Sequence, residues 1–317
     1  MSRALSLLSL SVIGSTALGC IDIPSWNLGG LAPRAVIKSE TQWSFRFFDA
    51  SGANQTRPQS INNLGIVSGH STDVSGIEHG FIRSRTGEIK VVDVPGASAT
   101  ELLDVNDFGV AVGDYTDADG RVHGFRRAPG GAVTVVEPPG STDAYLGGIN
   151  DRGEAVGAQG LDSDLAFLVH RGTFLPIDPP PGADPQWTNP FGINNLGTVT
   201  GSYLDPDGNS HGFVLEDGEY RTVDSPLGGS TLNKSNDRGQ AAGSYFPADG
   251  SPQQSFIVDL ATLVQVPFNC PAGYVGTALR GINDLGQVTG FCLSRLPDGS
   301  IERHGFVAGP GQPEDQE

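Results

Sequence analysis

The tetrapeptide Asn-[Asn/Asp]-x-Gly occurs six times, beginning at Asn62, Asn106, Asn150, Asn194, Asn236 and Asn283. Its glycines (Gly65, Gly109, Gly153, Gly197, Gly239, Gly286) stand 44, 44, 44, 42 and 47 residues apart. A period of this size leaves few folds open, because each copy must be one supersecondary unit stacked on its neighbours, as in a propeller blade or a solenoid coil. The motif itself is turn chemistry. An Asx side chain caps its own backbone, and Gly takes the φ > 0 position that closes a hairpin. Each copy therefore joins two antiparallel strands.

The flanks repeat as well. An apolar residue precedes the motif in five copies, with Ser235 the exception. The second residue after the Gly is always Val or Ala, and the fourth is always Gly (Gly69, Gly113, Gly157, Gly201, Gly243, Gly290). One face of this second strand is thus uniformly small, as close packing of neighbouring sheets requires. A polar loop follows, then His-Gly-Phe at His79, His123, His211 and His304, degraded to Leu165-Ala166-Phe167 and Gln254-Ser255-Phe256 in two copies. The Phe persists in all six, in a place to cover the glycine of the adjacent strand. A fourth strand ends near Asp-x-Pro, as in EIKVVDVPG.

Four short strands per unit predict an all-β, six-bladed β-propeller of four-stranded blades, over 55–95, 99–139, 143–179, 187–226, 229–268 and 275–308. A β-solenoid is the rival, with coils that are usually shorter. The last copy lacks a fourth strand, while Trp43-Ser44-Phe45-Arg46-Phe47-Phe48-Asp49 reads as an orphan one. Completing the last blade with this N-terminal strand closes the ring and removes exposed edges, which a solenoid has no use for. The pattern G-I-N-D-x-G-x-V-x-G followed by H-[AG]-F resembles the extracellular HAF-repeat family of bacterial proteins over residues 43 to 308. The resemblance implies secretion and a propeller-like fold. It carries no general activity and no catalytic residues.

The N-terminus, MSRALSLLSLSVIGSTALGC, has a positive Arg3, an apolar stretch too short to span a bilayer, and small residues before Cys20. Residues 1–19 read as a signal peptide, 20–42 as a tether and 309–317 as a disordered tail. Cys20 is a lipidation candidate, since the arrangement resembles a bacterial lipoprotein signal. Ordinary cleavage and free secretion is the other reading. Either way the mature chain is expected to leave the cytoplasm, and a membrane contact is expected only in the lipid-anchored reading. Cys270 and Cys292 then stand in an oxidising compartment. The first lies in a connection between units five and six and the second at the end of the second strand of unit six. Both connections emerge on one face of an up-and-down blade, which predicts a disulfide.

With 19 Lys and Arg against 36 Asp and Glu, the net charge of −17 argues against nucleic acid and anionic membranes as partners. No H-E-x-x-H, Walker loop or C-x-x-C is present. No cofactor is expected. Calcium is the alternative, because Asp117 and Asp119, and Asp205 and Asp207, pair carboxylates in single loops, although the rest of an EF-hand loop is missing. One His per unit, in equivalent places, is what a hydrogen bond internal to each unit produces.

The better functional clue is where the copies disagree. Four residues before each motif the chain is always apolar (Pro58, Leu102, Leu146, Pro190, Leu232, Leu279), while the third and fifth vary freely. Alternation puts the variable positions on the opposite face, toward a central channel. Arg57, Glu101, Tyr145, Asn189, Asn233 and Arg280, with Trp187 nearby, are expected to ring one mouth, away from the invariant turns. Charged and aromatic groups of this mixture suit a polar ligand such as a glycan or a peptide end. The expected function is a secreted or lipid-anchored binding module for an extracytoplasmic glycan, protein or other polar ligand. The alternative is a propeller enzyme, a calcium-assisted hydrolase or lyase at the channel mouth.

Overall fold

The computed structural model describes residues 41–160 and 165–311, and every regular element there is a β-strand. The signal, Cys20 and all but the last residues of the tether fall outside the described residues, as do 312–317. Strand β1 spans Trp43–Phe48. The next four are β2 (Ala53–Ile61), β3 (Val67–Asp73), β4 (Glu78–Arg83) and β5 (Ile89–Val92). The second copy gives β6 (Ala99–Val105), β7 (Ala111–Thr116), β8 (Val122–Arg127) and β9 (Val133–Val135). The third gives β10 (Ala144–Ile149), β11 (Ala155–Gln159), β12 (Leu165–His170) and β13 (Thr173–Pro176). The fourth gives β14 (Thr188–Ile193), β15 (Val199–Leu204), β16 (Ser210–Glu216) and β17 (Glu219–Val223). The fifth gives β18 (Gly228–Ser235), β19 (Gln240–Pro247), β20 (Gln254–Asp259) and β21 (Gln265–Phe268). The last has only β22 (Gly276–Ile282), β23 (Val288–Arg295) and β24 (Ile301–Pro310).

The middle four copies each form a separate four-stranded antiparallel sheet in chain order. The expectation of six separate sheets fails for the other eight strands, which make one sheet in the order β22-β23-β24-β2-β3-β4-β5 with β1 also on β24. The join is slight. β2 meets β24 through one parallel register pair, Gln55 with Arg303, whereas β1 pairs with β24 from Trp43–Pro310 to Phe48–Gly305. The N-terminal strand therefore completes the last copy, as its sequence predicts. β24 runs two residues past the expected boundary at 308, because Trp43 and Ser44 supply partners for Pro310 and Gly309.

Successive inner strands pack in a closed circuit, β2 on β6, then β10, β14, β18, β22 and back to β2. This is a β-propeller arrangement. Between sheets the apolar row is buried, with Leu102, Leu146, Leu232 and Leu279 all among the fully buried side chains. The repeated Phe sits opposite the repeated Gly in every copy, as in Phe81 with Gly69 and Phe213 with Gly201. A Cβ on Gly69 would lie 2.7 Å from the Phe81 ring and 2.4 Å from the Arg57 carbonyl, so the glycine is required by the aromatic that covers it.

The turns explain their own sequence. Asn62 Oδ1 accepts the amides of Leu64 and Ile66, which caps the turn, and its Nδ2 donates to the carbonyl of Asn106 at 2.9 Å. The same donation passes from Asn106 to Asn150, Asn194, Asn236 and Asn283, and from Asn283 back to Asn62. Only Asn can accept in its own turn and donate to the next, so Asp never occupies this position. The second position only needs an oxygen. Asn63 N donates to Asp107 Oδ1, and the pattern closes through Asp151, Asn195, Asp237 and Asp284 to Asn63. Asn63 and Asn195 each split their amide protons between two flanking carboxylates.

The four histidines of His-Gly-Phe are clamps within their copies. His79 lies 2.9 Å from Asp93 and 3.6 Å from Asp73, and His211 lies 2.7 Å from Asp224 and 3.3 Å from Asp205. His123 bridges Glu137 and Asp117 at 2.6 and 2.9 Å. His304 meets Asp49, the carboxylate that follows β1. Each His thus ties its own strand to the acid that ends the fourth strand. Cys270 and Cys292 are bonded, with Cα atoms 5.9 Å apart.

Candidate functional site

Every inner strand carries a register shift at or next to the third residue before the motif Asn, as between Pro58 and Ser60 or Leu279 and Gly281. A bulge breaks strict alternation and turns two successive residues toward the same side. Both positions therefore reach the axis. The third residues line a narrow cavity of about 180 Å³, which includes Gln59, Leu103, Phe191, Asn233 and Arg280. The second residues Ser60, Asp104 and Lys234 line the pocket beneath the Asn/Asp turns.

A larger cavity of about 650 Å³ lies at the other end, sharing Gln59 and Arg280 with the narrow one. Its wall includes Arg57, His70, Glu101, Phe246, Phe291, Leu293, Ile301, Arg295 and Arg303. Of the expected residues, Arg57, Glu101 and Arg280 line this cavity, while Tyr145 and Asn233 line the narrow one. Asn189 lines neither and accepts the Tyr145 hydroxyl at 2.7 Å. Asn233 is buried and engaged with the Leu279 carbonyl and with Arg280. Trp187 and the four loop aspartates are not among the described residues of either wall. The Asp117 carboxylate accepts the amides of Asp119 and Arg121 and meets His123. Asp205 does the same with Asp207, Asn209 and His211. Their oxygens cap turns and hold the histidine clamps.

His70, Glu78, Asp114, Phe291 and Arg303 were not expected. His70, Asp114 and Phe291 follow the invariant glycine of the second strand, where the other copies have Ala158, Ser202 and Ser244. They stand directly opposite Arg57, Glu101 and Ala278 in register. Comparing copies at this second position is the signal that finds them.

The electrostatics of the wall follow from burial. Arg57 Nη1 lies 3.2 Å from Glu78 and 3.4 Å from His70 Nε2, and its Nη2 donates to Gln55 at 2.8 Å. Burial pushes His70 down to about 3, so the imidazole is neutral. Burial, reinforced by the hydrogen bond to Glu78 and the charge of Asp114, pushes Glu101 up to about 9. That same hydrogen bond holds Glu78 below its ordinary value. The two carboxyls thus share one proton, held on Glu101. Burial, then the charge of Glu78, raises Asp114 to about 7. Burial lowers Arg280 to about 10, with Arg57 and Arg303 adding like-charge repulsion.

Ligand atoms of His70, Glu78 and Glu101 lie within 4.8 Å of one another, a set able to hold a metal ion. The Arg57 guanidinium already bridges two of the three. Arg280 and Arg303 differ from Arg57 in having neutral partners only. Arg280 donates to Asn233 at 3.2 Å and Arg303 to Gln55 at 2.6 Å. Among the described residues no carboxylate oxygen comes within 4.0 Å of either. Both flank Phe291, at 5.6 and 5.9 Å from its centroid.

No family model matches the chain, and no curated protein matches it. Among solved structures it is similar to TolB from Acinetobacter baumannii, with 12% identity, a TM-score of 0.54 and 78% of this chain covered. The match spans 64% of that protein's length. It is similar to a putative TolB from Agrobacterium tumefaciens at 11% identity and TM-score 0.54, over 80% of this chain and 90% of that one. A mutant of AofleA from Arthrobotrys oligospora matches at 10% identity and TM-score 0.52, over 86% of this chain and 96% of that one. At such identities these likenesses concern the fold alone, and they agree with the β-propeller arrangement.

Proposed function

We propose that this chain is a secreted or lipid-anchored binding module, a six-bladed propeller of the HAF-repeat kind, holding a polar extracytoplasmic ligand in its 650 Å³ cavity. The blade count treats the eight-stranded sheet as two blades joined at the single Gln55–Arg303 pair, and the six-membered rings of turn hydrogen bonds support it. The disulfide accords with an oxidising compartment. One observation carries the ligand reading. The cavity is lined by residues that differ from copy to copy, whereas the opposite mouth is built from nearly identical turns already bonded to one another. Conserved packing needs no variety, and recognition does.

The test is a screen of glycans and peptides against the full chain, followed by Gln253→Trp, which fills the cavity from the β19–β20 loop. Binding should be lost while the melting temperature holds. Undiminished binding by the filled variant puts the site elsewhere. The enzyme alternative draws on the proton shared by Glu101 and Glu78, since a protonated carboxyl beside an ionised one is a general acid with a base at hand. Turnover of a bound ligand that Glu101→Gln abolishes would decide for it.

A further inference from the structure

Four of the chain's 19 Lys and Arg line the large cavity, in a protein with 36 acidic residues, and among the described residues Glu101 is the only acid on that wall. Arg57 is neutralised by Glu78. Arg295 stands exposed at the rim. Arg280 and Arg303 are left with amide oxygens as partners, and the Arg280 Nε is buried with no partner at all. A guanidinium has five donors, and each of these two spends one on a neutral group. Burying positive charge without a counter-ion destabilises a fold. A bound anion would supply the missing charge.

We propose that Arg280 and Arg303 bind the carboxylate of an anionic ligand, whose body lies on Phe291 and the apolar wall of Leu293 and Ile301. This rests on the reading of the cavity as the ligand site. The planar fork of a guanidinium matches a carboxylate in two parallel hydrogen bonds, and two forks flanking one aromatic ring fix its place. The charge balance selects an anion. Two uncompensated cations flank Phe291, and among the described residues the one acid lining the cavity, Glu101, is held protonated by burial.

Acetate is the minimal probe, titrated against sodium chloride at equal ionic strength while the melting temperature of the full chain is followed. A site with a dissociation constant on the order of 10 mM gives about 3 °C of stabilisation at about 100 mM acetate. The Arg280→Gln/Arg303→Gln variant should show none of this shift, and without acetate it should melt at or above the wild-type temperature. An acetate shift equal in both proteins, or absent from the wild type, overturns the proposal. Two matched pairs then separate sources: galacturonate against galactose, and N-acetylphenylalanine against its amide. A tryptophan introduced by Ser251→Trp on the cavity wall reports occupancy independently of the arginines. Neutral members that quench it as well as the acids defeat the carboxylate assignment and leave the cavity reading standing. Acetate that stabilises the protein in an arginine-dependent way supports the carboxylate site, and the acid of each pair that quenches tells sugar from peptide. No quenching by any probe defeats the cavity reading itself.

Discussion

Asn106→Asp isolates what the invariant Asn of the repeat contributes. The two side chains have the same shape, and the new carboxyl still accepts the amides of Phe108 and Val110 that cap the turn. It loses the donor that reaches the Asn150 carbonyl at 3.1 Å, at a residue only 5% exposed. The protein then has two options. It can leave a charged oxygen against a carbonyl, at a cost of about 1–3 kcal/mol or more for the unsatisfied and repelling groups. It can instead hold a proton on the carboxyl and restore the bond. Against an unfolded pKa of about 3.9, that costs about 5 kcal/mol at pH 7.5, since each pH unit is about 1.4 kcal/mol.

The second route caps the loss at about 5 kcal/mol, and about 3 is expected, a fall in melting temperature of roughly 6–12 °C. The sign with pH follows. The folded-state pKa of the new group is raised, so its penalty grows as pH rises and fades toward the unfolded value. At pH 5 the cap is only about 1.5 kcal/mol. Asp107→Asn is the control, because Asn63 and Asn195 already hold that place in other copies, and it should change stability by under about 1 kcal/mol. Thermal melts of the three proteins at pH 5 and 7.5 check this. An Asn106→Asp protein that melts within a degree of wild type at pH 7.5, or whose loss does not shrink on acidification, refutes the account of the invariant Asn.

Starting the chain at residue 50 should strip the edge of β24 and the contacts of Phe45 with Phe306 and Trp43 with Phe268, at 5.3 and 4.9 Å between centroids, and give aggregates by light scattering; a monodisperse product of unchanged stability would count against ring closure. Cys270→Ser/Cys292→Ser opens a link between residues 22 apart and should lose roughly 3 kcal/mol in denaturant melts, and free thiols in the protein from an oxidising compartment would contradict the bond. His79 is raised by its bond to Asp93 and His123 by its bond to Asp117; in His211 burial opposes the rise but the bonds to Asp224 and Asp205 outweigh it. Groups raised in this way stabilise fully below about 6.5 and lose that contribution as pH climbs through their folded values. Asp117 and Asp205 are lowered, the latter to about 2, so their share is lost only on strong acidification. Stability should therefore peak between about pH 4 and 6.5, and a triple His→Gln variant that keeps the wild-type profile would discount the clamps.

The repeat made the architecture legible because each copy solves the same packing problem with the same residues. Gly69 facing Phe81, the capped turn at Asn62 and the orphan strand at Trp43 could all be read from spacing. The sheet count could not. The bridge between Gln55 and Arg303 depends on where two strands happen to come close, and neither residue belongs to the repeated set. The site was half legible for a related reason. Variation at the third and fifth positions pointed to Arg57, Glu101 and Arg280, but the bulges carried the second position to the axis as well and placed Asp104 and Lys234 there. His70 and Phe291 lie on the partner strand, in a row whose variation is visible only once its register with the first strand is known.

The two ends of the channel have divided the chain's polar chemistry between them. At the turn end, twelve interblade bonds consume the donors and acceptors of the Asn and Asx positions, and that commitment is what allows the motif to repeat so faithfully. Just inside it, Lys234 lies 3.1 Å from Asp104 and donates to the carbonyls of Gly147 and Phe191, both charges nearly buried. Asp104 is held in turn by Ser60 and by the amides of Val105 and Ile149. The equivalent residues Gly148, Gly192 and Gly281 have no side chain, and a Cβ on each would meet neighbouring backbone at 2.8–3.0 Å, so the ion pair stands where three copies contribute backbone only. A paired, hydrogen-bonded charge across the axis is a plug, because moving either group aside would strand the other without a counter-charge. At the opposite mouth Arg280 and Arg303 lack what Lys234 has, a carboxylate within 4.0 Å among the described residues, and that difference between two sets of cations on one axis is what the proposed ligand site rests on.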